Sequence, residues 1–189
     1  MARPVVHDDT LRRRLLDSAA SLIARDGAAV VSLRGLAAAA GTSTTAVYSL
    51  FGGKAELLSA VLDDGFASFA ASQQEAATGG LEALGRAYRT WALEHPVLYG
   101  LMFGGSLASQ VPCRPTPGAV EPSIGPLFAA VAAALPGASK DAIASVVGVV
   151  WGQVHGLVSL ELAGAPAAGW TWDAAFDAAL RQIGRSLGR

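Results

Sequence analysis

Between Gly41 and Leu57 the chain reads GTSTTAVYSLFGGKAEL, which sets four hydroxyl residues in a row (Thr42, Ser43, Thr44, Thr45), then Tyr48, Ser49 and a lone Lys54. That is a dense run of hydrogen-bonding groups for a chain of 189 residues with only 15% charged and 52% hydrophobic side chains. Such groups can read a polyanion. Hydroxyls bond phosphate oxygens or base edges, threonine methyls touch thymine methyls, and a lysine at a helix start adds charge to backbone N–H groups already suited to phosphate. Bond-making chemistry finds less support. His7, His95 and His155 have no metal-ligand spacing, Cys113 is the single cysteine, and neither a Gly-x-Ser-x-Gly elbow nor a phosphate-cradling glycine loop occurs. No metal, no cofactor and no catalytic residue is expected. A second set, Tyr88, Trp91, Tyr99, Met102, Phe103, Trp151 and His155, combines aromatics, a thioether and one imidazole, which suits a mainly apolar small molecule carrying one polar group. Taken singly, each also fits plain core packing.

Helices must position both sets. Leu11, Leu15, Leu16, Ala19, Leu22 and Ile23 recur at three-to-four spacing and predict an amphipathic helix from Thr10 to Asp26, closed by Gly27. Ser32 can cap a second helix, Leu33 to Ala40, which Gly41 ends; Ser43 or Thr42 can cap a third, Thr44 to Phe51, which Gly52-Gly53 ends. Two short helices joined by a glycine turn after a first helix form the helix-turn-helix pattern. In the third, Ala46, Val47 and Leu50 share an inner face with Phe51 beside it, so Thr44, Thr45, Tyr48 and Ser49 face out. Longer helices follow at about 54–76, 80–95, 97–103, 123–135, 139–163 and 172–187, with 104–122 as the main flexible loop and no convincing strand. The expected fold is all-α: a three-helix helix-turn-helix module over residues 1–53, then a larger helical domain over 54–189.

The run Leu36-Ala37-Ala38-Ala39-Ala40-Gly41-Thr42-Ser43, followed by Ala46-Val47-Tyr48, Phe51, Lys54 and Leu57-Leu58, resembles the signature of TetR-family transcriptional regulators over residues 10 to 60. The resemblance implies that Tyr48 and Lys54 grip phosphates, that Thr44, Thr45 and Ser49 lie nearest the bases, and that Arg34 meets the backbone or a base edge. With the caps Ser32 and Ser43 these form the candidate DNA-binding set. Thr45 and Leu50 depart from the family pattern, and the third helix holds no Arg, Lys, Asn or Gln for bidentate base contacts, so readout would lean on threonines, Arg34, a terminal arm with Arg3, and DNA shape. His95 to Gly104 and Trp151-Gly152-Gln153-Val154-His155-Gly156 resemble the WHG-type C-terminal domain of that family. The family resemblance implies a DNA-binding module over residues 1–53 and a ligand-binding and dimerisation domain over 54–189, with a small-molecule effector and a homodimer built from the last two helices. Gly148, Gly152 and Gly156 form a ridge whose roughly 1 kcal/mol helical cost per glycine suggests close approach of another backbone, in the same chain or a second copy.

Net charge is −1, yet residues 1–60 hold seven basic and five acidic residues (+2) and the remainder seven and ten (−3), a mildly basic head on an acidic body. Residues 143–160 are long enough for a bilayer, but Gln153 and His155 interrupt them and no basic cluster flanks them, so no membrane partner is expected. The N-terminal residues carry no secretory pattern, and one cysteine suits a reducing cytoplasm. The expectation is a cytoplasmic homodimeric repressor released from a palindromic double-stranded operator by a small, largely apolar effector. The alternatives are an all-α small-molecule binder whose head no longer reads DNA, and an enzyme using His155.

Overall fold

The computed structural model describes residues 5–27, 29, 31–104, 113–167 and 169–188, which form helices and, among the described residues, no strand. The elements are α1 (Val5–Asp26), α2 (Leu33–Ala39), α3 (Thr44–Phe51), α4 (Lys54–Ala76), a 3-10 turn (Ala77–Gly79), α5 (Gly80–Glu94), α6 (Pro96–Phe103), α7 (Glu121–Ala134), α8 (Lys140–Leu162) and α9 (Trp172–Ser186). They gather into two compact units, Met1–Phe66 with Val97–Val120, and Ala67–Pro96 with Glu121–Arg189.

Local chemistry sets most helix ends. The side chains of Ser32, Ser43, Ser139 and Thr171 accept from the backbone N–H of Gly35, Ala46, Ala142 and Ala174 at the starts of α2, α3, α8 and α9. Each such cap is worth about 1 kcal/mol over alanine. After α2 the chain reverses at Gly41, whose φ of +64 only glycine adopts freely, while Thr42 N–H bonds Ala37 O at 2.9 Å and Gly41 N–H bonds Ala38 O at 3.2 Å. That closure fixes the turn of the helix-turn-helix. One expected boundary moves: α1 starts at Val5 rather than Thr10.

In the first unit, Leu15 and Ala19 of α1, Leu36 of α2, Val47 of α3, and Leu57 and Leu58 of α4 are almost wholly buried in one core. Because the first turns of α4 close this core, the unit runs past residue 53 and includes α6 as well. Arg13 ties α1 to α4, its guanidinium bonding Asp17 at 2.6 Å and Asp64 at 2.9 Å; these bonds, Asp17 first, raise its pKa above its ordinary value. Residues 105–112 of the expected loop lie outside the described residues. In the remainder of that loop Thr116 donates from N–H and Oγ1 to Asp63 at 2.8 and 3.0 Å, and Cys113 is buried in the core, where desolvation pushes its thiol pKa up.

In the second unit α5 packs on α7, α8 and α9. The inner stripe of α8 is Val147, Val150, Val154 and Val158. Its other face is also apolar: Val149 and Leu160 are 61% and 52% exposed. By length and composition alone α8 could cross a bilayer, with only 22% of its apolar window buried. Within the unit it is anchored by Glu161, whose carboxylate accepts two 2.7 Å bonds from Arg89 of α5.

Candidate functional site

The outward face of α3 stands as the periodicity predicts. Val47 and Phe51 are buried, while Thr45, Ser49 and Tyr48, the last 53% exposed, face solvent and Thr44 is half-buried. Arg34 is exposed on α2, and Ser32 and Ser43 use their hydroxyls as caps. The guanidinium of Arg12 lies 4.8 Å from the centre of the Phe51 ring, a cation–π contact that steadies the end of α3. Arg3 lies outside the described residues.

Lys54 has a partner that spacing did not suggest. Its Nζ donates to Ala29 O at 2.9 Å, tying the start of α4 to the segment after α1 and leaving further N–H donors on the ammonium. Glu56 curls over the same helix start, so that a Cβ at Gly53 would come within 2.7 Å of its Oε2. The carboxylate therefore already sits in the positive end of the helix dipole.

The aromatic set divides between the two units. Tyr99, Met102 and Phe103 lie in the first: Tyr99 and Phe103 rings are 5.1 Å apart, Phe66 meets Phe103 edge-on at 6.0 Å, and Met102 Sδ lies where a side chain at Gly65 would stand. Tyr88, Trp91, Trp151 and His155 lie in the second. There Trp91 Nε1–H donates to Ser68 Oγ at 3.0 Å, and Phe69 meets Tyr88 edge-on at 5.2 Å and Trp91 at a tilt at 5.0 Å. His155 is bonded through both ring nitrogens, Nδ1 to Tyr88 Oη at 2.8 Å and Nε2 to Ser159 Oγ at 3.3 Å. Burial lowers its pKa, so the neutral ring is favoured, with one nitrogen donating and the other accepting. That is the wiring of a structural histidine.

Tyr88 and Trp151 also line a narrow cavity of about 30 Å³ together with Leu81, Leu84, Gly85, Leu127, Val150, Val154, Leu180, Ile183 and Gln73. Sequence reasoning passed over Gln73, although Leu62, Phe66, Phe69 and Gln73 repeat at four, three and four along α4 and so mark it as inward-facing. Gly148, Gly152 and Gly156 face open space: a Cβ built on any of them meets nothing within 4 Å among the described residues. No group of three metal-binding side chains gathers among the described residues either.

Comparison with known proteins agrees with this arrangement. A family model described as bacterial regulatory proteins, tetR family, matches residues 15–61, and one described as tetracyclin repressor-like, C-terminal domain, matches residues 81–183. Curated relatives include the HTH-type transcriptional regulators Mb1846 of Mycobacterium bovis and Rv1816 of Mycobacterium tuberculosis, each 30% identical over 133 residues, 66% of this chain and 53% of theirs. The chain thus spans about half the length of these curated relatives. Among solved structures, a protein assigned as regulatory, SCO4313, is similar with a TM-score of 0.80 and 27% identity over 96% of this chain and 98% of that one. A protein of unknown function from Rhodococcus sp. RHA1 has a TM-score of 0.76 and 30% identity over 95% and 96%. The matched families and the curated relatives are transcriptional regulators, not enzymes. With both halves of its fold matched, the chain belongs to the TetR family of bacterial transcriptional regulators.

Proposed function

We propose that this chain is a homodimeric DNA-binding repressor, working in the cytoplasm and released from a palindromic operator by a small, largely apolar effector. The observation that carries the reading is the outward face of α3, where Thr45, Tyr48 and Ser49 are exposed on a helix fixed by the Ser43 cap and the Gly41 turn. In a major groove Thr44, Thr45 and Ser49 meet base edges, Tyr48 and Lys54 meet phosphates, and Ser32 and Arg34 at the start of α2 meet the flanking backbone. The DNA-binding module is residues 1–53, and 54–189 bind the effector and the second copy.

Dimerisation covers the outer face of α8 together with α9. Val149 and Leu160 give that face its apolar area, and the open ridge of Gly148, Gly152 and Gly156 lets a second backbone approach closely. A protein partner rather than lipid suits a face that also carries Gln153. Two-fold symmetry then matches two half-sites a helical turn or a multiple of it apart. The effector sits against Tyr88 and Trp151, backed by Trp91 and His155; Tyr99, Met102 and Phe103, the rest of the expected set, belong to the other compact unit. It acts by binding the DNA-free arrangement of the dimer more tightly than the DNA-bound one.

Mobility shifts with the promoter next to its own gene test this reading. Salt-sensitive, sequence-selective retardation by a dimer is expected; its absence at every candidate promoter would overturn it. A second reading, a small-molecule binder whose head no longer reads DNA, is favoured by one observation, the lack of Arg, Lys, Asn and Gln in α3. It requires that even nonspecific binding at low salt be lost.

A further inference from the structure

The cavity beside Tyr88 and Trp151 contains one polar group that the fold leaves unsatisfied. Gln73 is 4% exposed, and its Nε2 has no hydrogen-bond partner among the described residues. A buried donor left unpaired carries its full desolvation cost, and native cores keep very few of them. One water would fit in about 30 Å³, but a buried water is held by two to four polar partners, and the walls around this amide are almost entirely aliphatic and aromatic. Water is therefore a poor occupant. The amide asks for a hydrogen-bond acceptor attached to something apolar.

From this we infer that Gln73 is the polar anchor of the effector site, and that the effector is an uncharged, mainly apolar molecule presenting one acceptor oxygen, such as an aromatic ketone, ester or lactone. The inference rests on the effector-binding reading above and gives it a chemical class. The sign of the recognised group follows from the donor: Nε2–H selects an acceptor over a hydrocarbon of the same shape. Neutrality follows from the walls. None of the lining residues is charged, and an ionised head buried among them would have no counter-charge. Arg89, the cation on the same helix as Tyr88, is already held by Glu161 and Asp173.

The space must open for a ligand larger than water, and the packing indicates where. Gly85 of α5 leaves room that Leu180 of α9 fills: a Cβ at residue 85 would lie 2.4 Å from Leu180 Cδ2. A ligand reaching Gln73 displaces Leu180, whose rotation costs little compared with backbone movement. Leu180 belongs to a helix assigned above to the dimer interface, so occupancy of the cavity is felt where the two copies meet.

Isothermal titration of the purified full chain, without DNA, tests the assignment with three ligands of similar shape. Acetophenone offers a neutral acceptor, ethylbenzene offers none, and benzoate carries a charge. Acetophenone is expected to bind on the order of tenfold tighter than ethylbenzene, the worth of one good hydrogen bond to an otherwise orphaned donor, with no detectable heat from benzoate. Gln73→Met keeps the side-chain volume and should bring acetophenone to within about twofold of ethylbenzene, leaving ethylbenzene itself unchanged. Equal binding of acetophenone and ethylbenzene by the natural chain, tighter binding of benzoate, no binding of either neutral probe up to its solubility, or a tenfold preference surviving in Gln73→Met would each overturn the inference. The natural chain's own selectivity decides the matter even if the variant misfolds. A mobility shift with the same ligands separates the two readings: Gln73-dependent binding without release of DNA would sink the effector role and leave the site standing.

Discussion

Tyr88 Oη lies 2.8 Å from His155 Nδ1, joining α5 to α8 through a ring whose other nitrogen reaches Ser159. Burial lowers the His155 pKa, so the folded protein binds its proton less readily than the unfolded chain does. The unfolded state then holds more protons below about pH 6.5, and the stabilising contribution, complete above that pH, is lost as pH falls through the folded-state pKa. Urea unfolding at pH 7.5 and 5.5 should give the natural chain lower stability at 5.5. The part of that difference owed to His155 should vanish in His155→Asn. An unchanged pH dependence in the variant would show that the imidazole is not the group responsible.

The second link between α5 and α8 is ionic. Arg89 and Glu161 are 18% and 15% exposed, and the hydrogen bonds to Glu161, ahead of the opposing cost of burial, raise the Arg89 pKa above its ordinary value. Asp173, the other partner, is 81% exposed and largely screened by solvent. Glu161→Ala should therefore cost about 2–3 kcal/mol in urea unfolding, because it strands a mostly buried guanidinium, whereas Asp173→Ala should cost no more than about 0.5 kcal/mol. Similar losses from the two variants would contradict this ranking.

The ends of α2 and α3 were legible because their determinants are local. Ser32 and Ser43 sit one residue before the helices they cap, and Gly41 and Gly52 take positive φ where the pattern stops. The outward face of α3 was legible for the same reason, since 3.6-residue periodicity acts within one helix. What joins distant residues was not. Lys54 with Ala29, Tyr88 with His155 and Arg89 with Glu161 are 25, 67 and 72 residues apart, and nothing in either member's neighbourhood names the other. The aromatic set shows the limit most clearly, since Tyr88 and Tyr99 are eleven residues apart and equally apt for one pocket, yet they lie in different compact units. Gln73 falls between the two cases. Its inward register was readable from α4, but only packing could reveal that no acceptor meets it.

For the DNA face, Lys54 and Tyr48 are both assigned to phosphates, yet Lys54 also holds Ala29 O. Lys54→Ala should weaken operator and random DNA by similar factors and reduce the slope of log K against log salt by roughly 0.9, one phosphate contact. It should also cost about 1 kcal/mol of stability through the lost bond to Ala29. Tyr48→Phe should weaken both DNAs without altering that slope, since a phenol carries no charge. A Lys54→Ala effect confined to one operator position would refute the phosphate assignment.

Gly152 offers a test in which folding and association move in opposite directions. A Cβ there meets nothing within 4 Å among the described residues, so Gly152→Leu should leave the isolated fold intact and even favour α8 by up to about 1 kcal/mol through helix propensity. At an interface that relies on close backbone approach, the same side chain overpacks, at a cost of about 1–3 kcal/mol. That corresponds to a dimer dissociation constant roughly 5- to 150-fold higher. Sedimentation velocity across a concentration series reads the association, and far-UV circular dichroism with thermal melting at low concentration reads the fold. A helical monomer that melts no lower than the natural chain at the same dilution, together with weakened association, places Gly152 between two copies. An unchanged dimer would put the interface elsewhere and leave the glycine ridge on the outer surface of the assembly.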